Sequence, residues 1–172
     1  MNLRKNIFTA LLLAVGLILH QITPGVLGSM KFDLMLSFIF VAIFINPTLN
    51  NCILTAFIGG LFTSLTTTFP GGQIPNVIDK IVTCFVVLIL IKLAQKVSLN
   101  KISIGIISFI GTIVSGSVFL YSALLIVGLP APFKALFLGI VLPTSISNVV
   151  ITLVIYNVVA YSLKIVNRKA SA

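Results

Sequence analysis

Six apolar runs, each long enough or nearly long enough to cross a lipid bilayer, follow one another from Asn6 to Val166, and only short polar gaps separate them. A spanning helix needs about 20 predominantly apolar residues. The runs fall at about 6–22, 33–45, 46–67, 75–95, 101–127 and 133–166, with Asn46 as the expected N-cap of the third, Pro47 in its first turn, and Pro143 kinking the sixth or marking its start. A domain folded in water has about a quarter of its residues charged. Here 8% are charged and 59% hydrophobic. That leaves too little polar surface to cover a globule, so lipid is the solvent. The fold class is an all-α integral membrane protein, a six-transmembrane-helix bundle forming a single domain over 1–172.

The second run is short. Its 13 residues rise about 20 Å as a helix, against a hydrocarbon core of about 30 Å. A helix that short leaves its neighbours facing a recess at one end, unless it extends by a turn through Met30. Arg4 and Lys5 before Ile7–Leu19 resemble a secretory leader, but Thr23–Ser29 offers no A-x-A cleavage site, and the run is read as a retained first helix.

The net charge of +9 does not make a nucleic-acid surface, because the basic residues sit in the gaps and form no continuous face. They do set an orientation. Arg4, Lys5, Lys92, Lys96, Lys101, Lys164, Arg168 and Lys169 fall on one side of a six-helix arrangement, and Lys31, Lys80 and Lys134 on the other. Eight against three places both termini in the cytoplasm of a multi-pass cell-membrane protein, N-in and C-in. Cys52 and Cys84 lie far apart within apolar runs and read as buried free thiols, with no disulfide framework and no metal site.

A polar island, Thr66 to Lys80, interrupts the apolar pattern. Pro75 suits the first turn of a helix, where its missing N–H needs no partner. Asn76, Asp79 and Thr83 then share one helical face. Asp79 is one of two acidic residues in the chain, and an ionised side chain within a membrane costs about 2.5–3.5 kcal/mol on insertion scales, so such groups usually carry function. Lys80 points about 100° away around the helix, which leaves Lys31 or Lys134 as partners of Asp79. Lys31 and Asp33 lie in the connection before the second helix, with His20 and Gln21 ending the first.

Together these groups put a cation, two anions and amides at one mouth, which suits a zwitterion. The candidate substrate-binding residues are Lys31, Asp33, Gln73, Asn76, Asp79 and Asn148. Phe69, Phe85, Phe119, Tyr121 and Phe133 can add aromatic surface. Polar stripes also run along the fifth helix (Ser108, Thr112, Ser115) and the sixth (Ser145, Asn148, Thr152, Tyr156). They line a cavity or glue helices together. Ala10 and Ala14, like Gly60 and Ser64, form small-x-x-x-small pairs that admit a second helix, from a partner or from the same bundle. There is no G-x-x-x-x-G-K-[ST] phosphate loop, and one His, two acids and no G-x-S-x-G elbow do not make an enzyme. No cofactor is expected.

The six-helix pattern, Ala10-x-x-x-Ala14, Met30-Lys31-Phe32-Asp33, Asn46-Pro47 and Gly71-Gly72-x-x-Pro75 resemble a substrate-binding S component of energy-coupling factor transporters. Within that group the length and the segment Phe69-Pro70-Gly71-Gly72-Gln73-Ile74-Pro75-Asn76 look like the TrpP family of tryptophan transporters. The resemblance implies uptake of tryptophan through an outward-facing pocket built from the first outer loop and helices four to six. It also implies docking of a transmembrane coupling subunit at Ala10 and Ala14, with paired ATPases beneath. Many S components have an Asn and a Lys shortly after the proline of helix six. Here Thr144-Ser145-Ile146-Ser147-Asn148 follows Pro143 with no lysine, which shifts the carboxylate-binding role to Lys31 or Lys134. Two other readings stand beside this one: a solitary proton-coupled carrier with Asp79 as the carrier group, and a non-transporting structural subunit of a membrane complex.

Overall fold

The computed structural model describes residues 3–23 and 31–169, with side chains at 5–23 and 31–166. The connection Pro24–Met30 and the side chains of Arg4, Arg168 and Lys169 lie outside the described residues. Helices α1 (Leu3–Ile22), α2 (Leu34–Ile45), α3 (Leu49–Thr66), α4 (Gln73–Gln95) and α5 (Lys101–Ile126) are followed by a composite sixth rod. That rod consists of α6 (Phe133–Leu136), a π-helical turn (Phe137–Val141) and α7 (Leu142–Lys169). The protein is an all-α membrane bundle with the expected six rods. Four of them are long and apolar enough to cross a membrane. α4, with 23 residues, has the length as well, about 35 Å, but carries Asp79, Lys80 and Lys92. Large apolar side chains such as Ile18, Phe57, Leu65 and Leu125 point outward, far beyond what a water-soluble surface tolerates.

The centre of the bundle is α2. It is apolar all round, and every residue from Met35 to Phe44 is buried, as expected for a helix surrounded by others. All five other rods touch it. Its 12 residues make it about 18 Å long, so both ends stop inside the bundle, where backbone groups cannot turn to water. Side chains satisfy them instead. Asp33 caps the start, its Oδ1 accepting from Leu36 N at 3.2 Å. At the other end Asn51 of α3 donates to Ala42 O at 3.0 Å and Asn46 O at 2.9 Å, and its own Oδ1 accepts from Thr9 of α1 at 3.0 Å. Asn148 of α7 donates to Asp33 O at 3.2 Å and accepts from Ser37 at 3.0 Å. Helix α2 is therefore tied to α3 and α7, and through Asn51 to α1, by polar bonds within an apolar core.

Two boundaries differ from expectation. Asn46 ends α2 rather than capping α3, and Thr48 is the N-cap, accepting from Asn51 N at 3.4 Å. Proline disfavours helical geometry in the residue before it, so Pro47 keeps Asn46 out of the helix. α4 begins at Gln73, two residues before Pro75, which still lies in the first turn. In the sixth rod the π turn ends just ahead of Pro143, with Leu142 N bonded to Phe137 O. A proline ring clashes with the carbonyl four residues back in a regular α-helix. Widening the preceding turn gives it room without ending the rod.

Candidate functional site

At the end of the bundle where α2 starts, the longer neighbours rise past it and enclose a recess. About 630 Å³ of space free of atoms lies within it, the open solvent at its mouth included. Its wall comes from α1, α2 and the residues just before it, α4, α5, the sixth rod and the α3–α4 connection. His20, Lys31, Asp33 and Leu36 stand on the α1–α2 side, and Thr67, Thr68, Phe69, Asn76 and Asp79 on the α3–α4 side. Thr112, Ser115, Gly116 and Phe119 of α5 face Ile140, Val141 and Thr144 of the sixth rod.

The α3–α4 connection is shaped by Phe69-Pro70-Gly71-Gly72. Gly72 N donates to Phe69 O at 3.0 Å, and Gly71 has φ of +71°. Proline second and a left-handed glycine third is the pattern of a type II turn. The turn holds Phe69 inward, buried and edge-on to Phe119 of α5 with ring centroids 5.5 Å apart. Asn76, one turn into α4, donates to Gly72 O at 2.8 Å and secures the same turn from below. On the opposite wall α5 and the π turn approach closely. A Cβ on Gly116 would sit 2.5 Å from Val141 Cγ1, so only glycine lets the two come together.

Three charges meet on the polar wall. Lys80 Nζ lies 2.6 Å from Asp33 Oδ2 and also pairs with Asp79. Thr83 donates to Asp79 Oδ1 at 2.9 Å, and Ser115 of α5 approaches the same carboxylate. Lys80 and Asp79 are each 1% exposed and Asp33 21%. The partners expected for Asp79 are thus replaced. Lys31 donates instead to His20 O at 3.3 Å, and Lys134 is exposed at the start of α6. The 100° rule describes where Cα–Cβ bonds point, but the flexible stem of Lys80 folds back far enough to serve both acids. With only two acidic side chains in the protein, a buried lysine has no other anions to neutralise it. The cluster carries a formal charge of minus one. His20, 6% exposed, stands beside it with Nδ1 3.7 Å from Asp33 Oδ1.

Of the expected substrate-binding residues, Lys31, Asp33, Asn76 and Asp79 come together on the recess wall. Gln73 is exposed in the first turn of α4, and Asn148 lies deeper, wholly buried; neither lines the recess. The Asn148 amide is engaged by Ser37, Asp33 O and Thr112, the last at 3.4 Å. Thr112 and Ser115 of the fifth-helix stripe do reach the wall, while Ser145 and Thr152 are buried elsewhere. Leu36, Gly116, Ile140, Val141 and Thr144 were not marked by sequence. Only Pro143 hinted at irregular backbone there. Ala10 and Ala14 are exposed on the outer side of α1, whereas Gly60 packs against Val77 of α4. Cys52 and Cys84 are buried free thiols, and no group of metal-binding side chains occurs among the described residues.

The family described as "Tryptophan transporter TrpP" matches residues 2–164. A probable tryptophan transport protein of Clostridium acetobutylicum is 47% identical over 169 residues, covering 98% of this chain and 99% of its own length. Proteins with the same description from Clostridium perfringens and Bacillus subtilis are 44% and 43% identical, each alignment covering 95% of this chain. No solved structure gives a significant match.

Proposed function

Since the chain belongs to the TrpP family of tryptophan transporters, we propose that it binds tryptophan in the recess and carries it into the cell. The observation that carries this reading is the division of the wall. One side holds Lys31, Asp33 and Asp79, and the other Phe69, Phe119, Ile140 and Val141. A free amino acid with a large apolar side chain is divided in the same way. Its carboxylate goes to Lys31, the cation at the mouth that no acidic side chain neutralises. Its ammonium goes to the acid pair, which Lys80 neutralises only in part. The ring lies against the Phe69–Phe119 edge pair and the π turn.

In this reading the recess opens outward. The bundle end away from it collects Lys5, Lys92, Lys96, Lys101 and Lys164, and the positive-inside rule puts that end in the cytoplasm. Energy comes from an ECF-type module. The chain has no phosphate loop of its own, and the exposed Ala10 and Ala14 leave a low ridge on α1 on which a coupling helix can lie. The chain moves its substrate without chemistry on it.

Thermal unfolding of the purified protein in detergent, across the amino acids and the common vitamins, tests the reading. A ligand at one hundred times its Kd stabilises by about 2.7 kcal/mol. Tryptophan is expected to give the largest shift. No shift with tryptophan, or a larger one with a small or non-aromatic compound, overturns it.

A further inference from the structure

The remaining polar atom at the charged wall is His20 Nδ1. It is buried and has no hydrogen-bond partner among the described residues. A buried polar group left unpaired is unusual in a settled structure, and one that lines a pocket points to a ligand. Its neighbour is already half committed. Asp33 Oδ2 is held by Lys80 at 2.6 Å, and Oδ1 accepts only from Leu36 N, at 3.2 Å. Asp33 Oδ1 and His20 Nδ1 are 3.7 Å apart. That is too far for a bond between them. It is the right span for one donor nitrogen to sit about 2.8–3.0 Å from both.

We propose that His20 Nδ1 and Asp33 Oδ1 together form the subsite for the substrate's α-ammonium group. This deepens the amino-acid reading above and rests on it. With its proton on Nε2, His20 offers Nδ1 as an acceptor. An ammonium has several N–H donors at tetrahedral angles, so it can address both acceptors at once. An anionic group at the same place would leave Asp33 Oδ1 facing an acceptor, and a neutral one has fewer N–H or O–H donors to share between the two. The subsite therefore selects α-amino acids over the corresponding acids. Lys31, whose ammonium bonds His20 O at 3.3 Å, stands beside it for the carboxylate. The last turn of α1 thus positions both recognition groups.

Binding of three probes to the wild type and to His20→Ala, His20→Gln and Lys31→Ala tests the subsite. The probes are tryptophan, indole-3-propionate, which lacks the ammonium, and tryptamine, which lacks the carboxylate. His20→Ala is expected to weaken tryptophan and tryptamine about tenfold, the scale of one hydrogen bond to a charged group, and to leave indole-3-propionate unchanged. His20→Gln, whose side-chain oxygen is an acceptor, should keep most of the affinity. Lys31→Ala should weaken tryptophan and indole-3-propionate and spare tryptamine. If indole-3-propionate is too weak to measure, the tryptamine comparison between His20→Ala and Lys31→Ala decides. Equal loss for all probes with His20→Ala, or no loss for any, overturns the subsite. Failure of the tryptophan reading shows separately, as no binding of tryptophan to the wild type. The subsite then stands if another α-amino acid binds in a His20-dependent way, and falls if none does.

Discussion

Lys80 Nζ, 2.6 Å from Asp33 Oδ2, joins α4 to the first residue before α2 and leaves both acids of the chain sharing one buried cation. Removing that cation strands two carboxylates side by side, Asp79 wholly buried and Asp33 on the recess wall. Breaking a buried ion pair on one side costs about 3–5 kcal/mol, so Lys80→Met should unfold at a much lower temperature than the wild type in detergent. Adding Asp79→Asn removes one of the stranded charges and should recover more than half of the loss. If single and double variants melt together, the effect of Lys80 is packing, not charge.

The approach of Gly116 to Val141 brings α5 against the π turn and sets the width of the recess. Gly116→Ala forces a methyl into a filled contact, which costs about 1–3 kcal/mol when neighbours cannot yield. The expected outcome is a lower melting temperature and weaker tryptophan binding. Val141→Ala in the same chain returns the missing volume and should restore most of both. Additive rather than compensating effects in the double variant would show that the two side chains do not meet.

Much of the architecture was legible because it depends on composition along the chain. Apolar runs of bilayer length fix six rods, and the shortness of α2 fixes the recess above it. The rotation of each rod about its own axis was much less legible. α2 is apolar all round, so nothing in its sequence says which side faces which neighbour. The sixth rod has polar residues on several faces, and Thr144 reaches the recess wall while Asn148, one turn deeper on the same face of α7, does not. The Asp79–Lys80 pairing was hidden for another reason. Helical spacing predicts Cβ directions, while a lysine ammonium is several freely turning bonds away. Gly116 carries no signal until its neighbour across the gap is known.

Phe119 supplies the edge of the aromatic pair at the apolar wall. An aromatic pair contributes about 0.5–1.5 kcal/mol beyond its buried area. Phe119→Ala should therefore weaken tryptophan about tenfold or more, with little change for a small amino acid such as alanine, whose side chain does not reach that wall. Competition binding with both ligands measures the ratio. An equal loss for both would mean that Phe119 supports the fold of the recess and not the ring.

Ala10 and Ala14 face outward in the half of α1 away from the recess, flanked by the exposed Ile7 and Leu11. Substitutions at exposed positions without special contacts usually change stability by no more than about 0.5 kcal/mol. Ala10→Trp and Ala14→Trp should then melt like the wild type and bind tryptophan with unchanged Kd. If a coupling helix lies on this ridge, each bulky ring holds it off, so uptake into cells or into vesicles carrying the ATPase module should be lost. The informative comparison is uptake against binding in the same preparation. Loss of uptake with binding intact places energy coupling on α1, and uptake that survives both substitutions places the docking surface on another face of the bundle.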